Sequence, residues 1–384
     1  MRRAPFLVAL ALVATPAAAA AQQPARTGHV WQGTLGNQPI TLCFNGDASE
    51  EARGSSDAHY YLDAQLMPIR LVIGETFVLT ELAGQDGDTG IVWTLEPPAD
   101  GRLEGEWRQG EITRPIRLAA RPVVLPEYGS ACETAAFLDP LLAGGEVTAK
   151  PARFAGVAYT QLSYAGPTRA WFEDFHITTL ALDPSRPGDA AINRALAAAL
   201  PDGTAQHPMG QCVGLSLNSG FGGYDGNLRE PILITQRWLG IRDSGSSYCG
   251  GAHPNHYVTL AVYDRISGAE ADPAAWFKQG ALTFYDFETE LDPKPAKRPI
   301  AGLSEPLAKA LLAHWPVRDA ADDCGVSEMI GSTSWVIGLT REGPVFVPQF
   351  PHVMFACTEE VVLPWKAARP FLSDEGMAVR DSLR

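Results

Sequence analysis

The segment from Cys249 to His256 holds the densest set of chemically capable side chains in the sequence, with one cysteine and two histidines. On an extended strand, the odd offset between His253 and His256 would point their rings to opposite faces, about 10 Å apart. A β-turn at Pro254 and Asn255 would instead bring the flanking Cα atoms within about 7 Å, so that both rings could reach one zinc ion. The third and fourth zinc ligands are not identified. Cys249 could bind zinc only as a thiolate, which conflicts with its expected disulfide bond. We therefore favour a structural loop whose glycines take unusual backbone angles, with ligand contact and metal binding as the alternatives.

Two neighbouring segments are rich in glycine and serine. Residues 220–226 lack the lysine and the helix N-terminus that hold phosphate, so they predict a turn or a mobile loop, from which Phe221 and Tyr224 could stack on sugar rings. Residues 244–247 predict a flexible polar loop rather than a nucleophile, because no Gly-x-Ser-x-Gly elbow occurs. We predict no catalytic residue and no cofactor, and His253 and His256 are the metal candidates. The predicted ligand-binding residues are Tyr248, His253, Asn255, His256, Phe221 and Tyr224.

The first residues of the chain have the pattern of an export signal. Arg2 and Arg3 precede a short apolar stretch, residues 6–14, and a run of small residues ends at Ala21. This pattern predicts a secretory signal peptide over residues 1–21 and a mature chain from Gln22. No cysteine stands directly after the predicted cleavage site, and no later apolar segment has the length of a membrane span. We therefore expect a periplasmic or secreted protein without a membrane span.

The charge of the chain restricts its partners. The 384 residues carry 30 basic and 44 acidic side chains, a formal charge of −14. Removal of Arg2 and Arg3 with the signal peptide leaves 28 basic against 44 acidic residues, hence −16. Nucleic-acid binders need clustered lysine and arginine to neutralise phosphates, so this class is excluded. The negative charge favours either a basic protein partner such as a lysozyme or simply solubility.

Six cysteines in an exported chain predict three disulfide bonds, since no Cys-x-x-Cys pair suggests a redox or zinc site. If the domain boundary proposed below holds, Cys43 and Cys132 are alone in the first domain and should pair. The other four cysteines leave several pairings open. Joining sequence neighbours favours Cys212 with Cys249 and Cys324 with Cys357.

The elements that must position these residues fall into two architectures. Short runs of alternating apolar residues between residues 29 and 118 predict an all-β N-terminal domain, an antiparallel meander that closes into a small barrel or a sandwich. Beyond it, mixed strands and helices predict an α+β C-terminal region. The predicted domains are the β domain over 22–120, a Pro-rich connection over 121–151, a small α+β subdomain over 152–210 and a larger α+β domain over 211–384.

Within the C-terminal region, apolar residues at helical spacing predict two helices. One begins near Asp189, and the other follows Ser304 as its N-cap. A terminal helix is predicted over residues 364–372. Two strands are predicted on either side of a long loop that carries the Cys249–His256 segment. The predicted strands are 157–164, 170–182, 232–241, 257–263, 335–339, 345–350 and 360–363.

Several segments together resemble a bacterial envelope family. They are Trp238-Leu239-Gly240-Ile241, then Tyr248-Cys249-Gly250-Gly251-Ala252-His253-Pro254, then Thr259 to Tyr263 with the turn that follows, and the end block from Gly338 to Leu372. The resemblance is to domain of unknown function 3298, the RsiV-like C-terminal domain, and residues 157–200 resemble the small domain that usually precedes it. It covers about residues 150–372. The resemblance implies an extracytoplasmic α+β domain that binds or senses, without an established catalytic mechanism. The chain lacks a sigma-binding segment and a recognisable deacetylase domain, so signalling and deacetylation are not implied.

Three functions are compatible with these features. The first, which we favour, is an exported, non-catalytic cell-envelope binding or sensing protein, whose ligand is a lysozyme-type hydrolase or a peptidoglycan fragment bound around residues 243–256. The second is a metal-assisted hydrolase of cell-wall material that acts through the Cys249–His256 loop. The third is an interaction module of an envelope assembly.

Overall fold

A computed structural model describes residues 25–46, 57–75, 77–83, 87–127, 129–167, 175–218, 223–285, 299–316 and 324–383. The predicted signal peptide and Phe221 lie outside these residues. In the N-terminal region, eight antiparallel strands form a closed barrel, in which β1 pairs with β8 from Thr27 opposite Val124 to Leu35 opposite Ile116. The predicted all-β N-terminal fold is therefore confirmed, in its barrel form. The strands are β1 Thr27–Leu35, β2 Gln38–Asn45, β3 Asp57–Leu62, β4 Ile69–Glu75, β5 Val78–Ala83, β6 Gly87–Leu95, β7 Arg102–Gln109 and β8 Ile112–Val124.

Side chains fill the interior of the barrel. Trp93 is fully buried, and its ring centroid lies 4.7 Å from that of Tyr60. The Tyr60 hydroxyl donates a 2.7 Å hydrogen bond to Glu81 Oε2, and desolvation raises the pKa of both groups. Where two strands approach closely, a side chain is excluded, because a Cβ on Gly33 would lie 2.0 Å from the Arg117 carbonyl oxygen. The barrel thus encloses a packed core.

The second sheet has six strands in the order β14-β13-β12-β11-β10-β9, antiparallel except for the parallel pair β11 and β12. The prediction of one strand over 232–241 and a long loop after it was wrong. A tight turn at residues 235–237 ends β12, and the serine-rich segment lies inside β13. A central strand tolerates these polar residues because both neighbouring strands satisfy its backbone hydrogen bonds. The strands are β9 Glu146–Phe154, β10 Val157–Ala165, β11 Phe175–Leu182, β12 Tyr224–Ile234, β13 Trp238–Tyr248 and β14 Asn255–Asp264.

A third, five-stranded antiparallel sheet has the order β15-β16-β17-β18-β19. It packs against the second sheet around a core that includes Trp238, Trp276 and Phe346. The predicted strands 335–339, 345–350 and 360–363 correspond to β17, β18 and β19, whose apolar side chains enter this core. The strands are β15 Leu282–Phe284, β16 Ile300–Leu303, β17 Ser334–Leu339, β18 Pro344–Gln349 and β19 Val361–Val362.

The helices confirm the α+β class of the C-terminal region. The predicted helix near Asp189 is α2, and the one after Ser304 is α4, in which Leu307 and Leu311 are fully buried. Helices α1, α3, α5 and α7 were not predicted, whereas the terminal helix predicted over residues 364–372 is α6 followed by the 3-10 segment Arg369–Phe371. No helix in the described ranges is long and apolar enough to cross a membrane. The α-helices are α1 Ala135–Leu142, α2 Asp189–Ala197, α3 Pro208–Asn218, α4 Glu305–Leu312, α5 Val326–Met329, α6 Trp365–Ala368 and α7 Asp374–Asp381. Short 3-10 segments are Ala131–Glu133, Pro273–Trp276, His352–Cys357 and Arg369–Phe371.

Three disulfide bonds join these units, in the pairing that the sequence favoured. Cys43 pairs with Cys132, Cys212 with Cys249, and Cys324 with Cys357. The first bond fastens β2 of the barrel to the segment that precedes α1. Tyr61 makes a second contact between the barrel and α1, because its hydroxyl donates a 3.2 Å hydrogen bond to the Phe137 carbonyl. We call the region around Cys43, Cys132, Tyr61 and Phe137 the barrel joint. The part of the barrel's outer face around Val30, Cys43 and Tyr61 is therefore buried against α1 and α3.

A buried histidine lies at the same joint. His59 on β3 is only 2% exposed, and its Nδ1 lies 3.3 Å from the Asn45 side-chain amide. Burial lowers the pKa of His59 to about 4, opposed by the charge of Asp57 and assisted by that of Arg70. This imidazole is neutral at neutral pH, and its protonation would place a charge inside the joint.

Candidate functional site

The ends of β12, β13 and β14 place several of the predicted residues on one face of the second sheet. Tyr224 on β12 lies opposite Tyr248 on β13. Two residues before Tyr248 on β13, Ser246 lies between Gly226 of β12 and His256 of β14, directly opposite both. Residues directly opposite each other in a sheet point to the same face, and alternate residues of a strand share that face. The three strands therefore carry a continuous row from the tyrosines to His256.

The two tyrosines form one half of this row. Their ring centroids are 6.3 Å apart with planes 30° apart. The Ser246 hydroxyl donates a 3.3 Å hydrogen bond to the Tyr224 hydroxyl, and the Tyr248 hydroxyl donates a 2.9 Å bond to the Gly251 carbonyl. Gly226 leaves the surface beside Tyr224 open, because a Cβ there would meet only the Ser246 carbonyl, at 3.7 Å. The rings are thus held in place while remaining partly accessible.

The other half is a stack of histidines. The ring of His352 is 4.2 Å from that of His253 with planes 7° apart, and 5.6 Å from that of His256 with planes 9° apart. The ring centroid of Phe355 lies 5.3 Å from that of His256. Desolvation and the charges of His253 and His256 lower the pKa of His352, whose Nδ1 has no hydrogen-bond partner within the part of the chain that the structure describes. We call Tyr224, Tyr248, His256, His352, His253 and Phe355 the aromatic row.

Sequence reasoning missed His352 and Phe355. Both lie in the 3-10 segment His352–Cys357, which the Cys324–Cys357 bond anchors. They meet the hairpin only through the tertiary fold, and the one sequence signal that includes them is the end block of the family resemblance. Of the predicted residues, Tyr224 and Tyr248 contact each other, and the rings of His253 and His256 both stack on the ring of His352.

Asn255 and Phe221 are not part of this row. Asn255 lies opposite Ser247 and so points to the other face of the sheet. Phe221 lies outside the described residues. Cys249 is bonded to Cys212 of α3, which fastens the tip of the hairpin and leaves no thiolate there.

The ring geometry does not form a shared zinc site. The lone pairs of an imidazole lie in the plane of its ring, and zinc–nitrogen distances are about 2.0–2.1 Å. A metal in the plane of His253 would lie well out of the parallel plane of His352. Among the described residues, no group of three or more His, Cys, Asp or Glu side chains is placed to hold a metal ion. A shared metal would require the rings to rotate.

The opposite face of the same strands holds a polar cluster. The Asn227 side-chain amide donates to the Tyr257 hydroxyl and, at 3.0 Å, to Asp243 Oδ1. Arg229 Nε lies 2.6 Å from the other Asp243 oxygen. Burial and the charge of Asp243 raise the pKa of Asp225 to about 6. These contacts fix the spacing of β12, β13 and β14, and so support the aromatic row from behind.

Two solved structures are similar to this chain. A crystal structure of a DUF3298 family protein from Pseudomonas aeruginosa PAO1 has 12% sequence identity, covers 60% of this chain and 94% of its own, and gives a TM-score of 0.35. A member of the same family from Bacteroides fragilis NCTC 9343 has 13% identity, covers 63% of this chain and 98% of its own, and gives a TM-score of 0.36. No family model matches the sequence, and no curated protein matches it. These TM-scores are too low to assign a ligand or a reaction.

Proposed function

We propose that the chain is an exported, non-catalytic binding protein of the cell envelope, with an RsiV-like domain over about residues 150–372. The signal-like N-terminus and three disulfide bonds support export, because disulfides form and persist in oxidising compartments. The family resemblance supports binding or sensing rather than chemistry.

The ligand surface of this proposal is the aromatic row, and its ligand is a fragment of cell-wall glycan. The observation that carries it is the set of partly accessible rings on adjacent strands, their connecting loop and the 3-10 segment, with the Tyr224–Tyr248 pair at one end and the histidine stack at the other. Sugar rings present apolar C–H faces that pack on aromatic rings, while their hydroxyls need nearby polar groups. Ser246 and the two tyrosine hydroxyls supply such groups between the rings.

Calorimetric titration of the protein with soluble muropeptides tests this proposal. We expect binding heat that is lost in Tyr224→Ala and His352→Ala. Val353→Ala is the matched control, since Val353 follows His352 directly, is 89% exposed and lies outside the row. Unchanged binding in both row variants, or no heat with muropeptides at any concentration, would contradict the proposed surface.

Titration with lysozyme separates the glycan from a protein partner. A chain of charge −16 attracts a basic protein over long range, and such binding weakens as salt rises. If only lysozyme binds, if its binding weakens as salt rises, and if the row variants leave that binding unchanged, the glycan proposal is wrong. The ligand would then be a basic protein attracted by the charge of the chain.

The same muropeptide samples report on catalysis. Under the binding proposal, the muropeptides are recovered intact after prolonged incubation. Cleavage that disappears in His253→Ala or His256→Ala would replace the binding proposal with the metal-assisted hydrolase.

A further inference from the structure

A cavity of about 570 Å³ opens at the end of the second sheet opposite the aromatic row. It lies where the β12–β13 turn at Thr235 and Gln236 meets the residues that directly follow α7 and the loop before α2. Tyr224 and Ile234 begin and end β12, so the two sites are about 30 Å apart at 3.3 Å per residue. The cavity therefore belongs to a separate site, and its volume is within the usual range of small-ligand pockets.

The floor of this cavity is a closed ion pair. Arg265 is 5% exposed, and its Nε and Nη2 donate to the two oxygens of the fully buried Asp189 at 2.8 and 2.9 Å. Arg265 also donates to the Thr235 carbonyl, and to Ser185 Oγ at 3.2 Å. Although desolvation acts to raise it, the pKa of Asp189 is lowered by the Arg265 hydrogen bonds and by the backbone amides of Ser185 and Arg186. The floor is thus neutral overall and rigid.

Two further arginines line the cavity without such compensation. The Nε of Arg186 is shielded from water and has no hydrogen-bond partner among the described residues. The guanidinium of Arg341 makes one long contact, 3.5 Å to the Leu383 carbonyl. Asp183 also lines the cavity, and no described ion pair joins it to either arginine. With the Arg265–Asp189 pair counted as neutral, the two arginines and Asp183 leave the cavity with an excess of positive charge, within a chain that is strongly acidic overall.

We propose that this cavity binds a small organic oxyanion, with a carboxylate or phosphate group held by Arg186 and Arg341. Guanidinium groups recognise both anions through paired N–H donors, and such charge-assisted bonds are the strong ones. An anion placed there would give the buried Arg186 Nε the acceptor that it lacks. Val157, Ile234 and Leu383 supply an apolar wall for the rest of the ligand. This site is independent of the glycan-binding proposal.

Nuclear magnetic resonance titration with inorganic phosphate, and separately with succinate, tests the proposal on the intact protein. We expect the Nε–H signal of Arg186, assigned by its loss in Arg186→Gln, to move on addition of at least one of the two anions. Arg186→Gln and Arg341→Gln should each weaken binding about 10-fold, as expected for loss of one charge-assisted contact. A preference for succinate over phosphate, or the reverse, identifies which anion the site takes.

Arg153→Gln is the matched control, because it removes the same charge from an exposed arginine of β9 that does not line the cavity. Its affinity should equal that of the natural sequence. Failure of both anions to bind, equal weakening in Arg153→Gln, or undiminished binding in Arg341→Gln would each overturn the proposal. Arg341 is exposed, so its variant keeps the test decisive even if Arg186→Gln fails to fold.

Discussion

The barrel and the second sheet use aromatic side chains in different ways. In the closed barrel, Trp31 and Trp93 are 2% and 0% exposed and point into the interior. At the open end of the second sheet, Tyr224 and Tyr248 are only partly buried. A closed sheet has an interior that side chains must fill, whereas the end of an open sheet can leave rings partly exposed. The difference indicates that the barrel aromatics stabilise the fold, while those of the second sheet are available for recognition.

Replacing Trp93 by alanine is the strongest test of this comparison. We expect the free energy of unfolding to fall by about 3–5 kcal/mol, because a fully buried aromatic ring is lost and a cavity remains. Chemical denaturation measures this change. A loss below about 1 kcal/mol would mean that the barrel collapses around the gap and is not a rigid core.

The disulfide bonds extend the comparison to the joints of the two regions. Loss of the Cys43–Cys132 bond through a double alanine variant should cost about 4–5 kcal/mol, because a long loop in the unfolded chain is released. Its cysteines are 89 residues apart, against 37 for Cys212–Cys249 at the hairpin tip. The chain-entropy model therefore predicts a larger cost at the barrel joint, by about 0.8 kcal/mol. The reverse order, measured by denaturation of the two double variants, would show that native-state contacts outweigh loop length.

The two regions also differ in how well the sequence predicted them. Barrel strands such as β2 show the period-two alternation of Ile40, Leu42 and Phe44, each of which is buried. That pattern is local, so it can be recognised without knowing the fold. The second half of β13, residues 242–248, was missed because residues 244–247 are polar, although a central strand takes its hydrogen bonds from its neighbours whatever its side chains are. Helix α1 was missed because Pro140 lies inside it.

The candidate site was predicted only in part, for a related reason. Tyr248, His253 and His256 lie close together in the sequence, and chemistry alone selects them. The contribution of His352 depends on how the third sheet packs against the hairpin, and no local pattern encodes that contact. The cavity at Arg186 and Arg341 is a further case, because segments far apart in the sequence place both arginines in its lining.

Acidification should act on the barrel joint through His59. The pKa of His59 is about 4 in the folded protein against a usual value of 6.5, so between these values the unfolded state binds a proton that the folded state does not. The free energy of unfolding that depends on the neutral His59 is therefore largest above about pH 6.5 and falls as the pH falls towards 4. Between about pH 7 and pH 5 it amounts to about 2 kcal/mol.

The variant His59→Gln isolates this effect, because glutamine has no proton to take up over this range. Denaturation curves of both proteins at several pH values give their stability differences directly. We expect the natural protein to lose more stability than the variant on acidification. Parallel pH dependences would show that the imidazole at the joint is accessible to protons in the folded state. The raised pKa of Asp225 in the second sheet acts in the opposite direction in both proteins, and so cancels from the comparison.

The smallest change is expected for Tyr224→Ala, the counterpart of Trp93→Ala in the open region. Its ring is partly exposed, and it contacts mainly Tyr248 and the Ser246 hydroxyl, so the free energy of unfolding should fall by only about 0.5–1 kcal/mol. Tyr224→Phe keeps the ring and removes only the hydroxyl bond, so its stability should lie between those of the natural protein and Tyr224→Ala. If Tyr224→Ala cost as much as Trp93→Ala, the tyrosine pair would be a core element and not an exposed surface. A small loss of stability together with a complete loss of muropeptide binding would separate the two uses of aromatic residues in one chain.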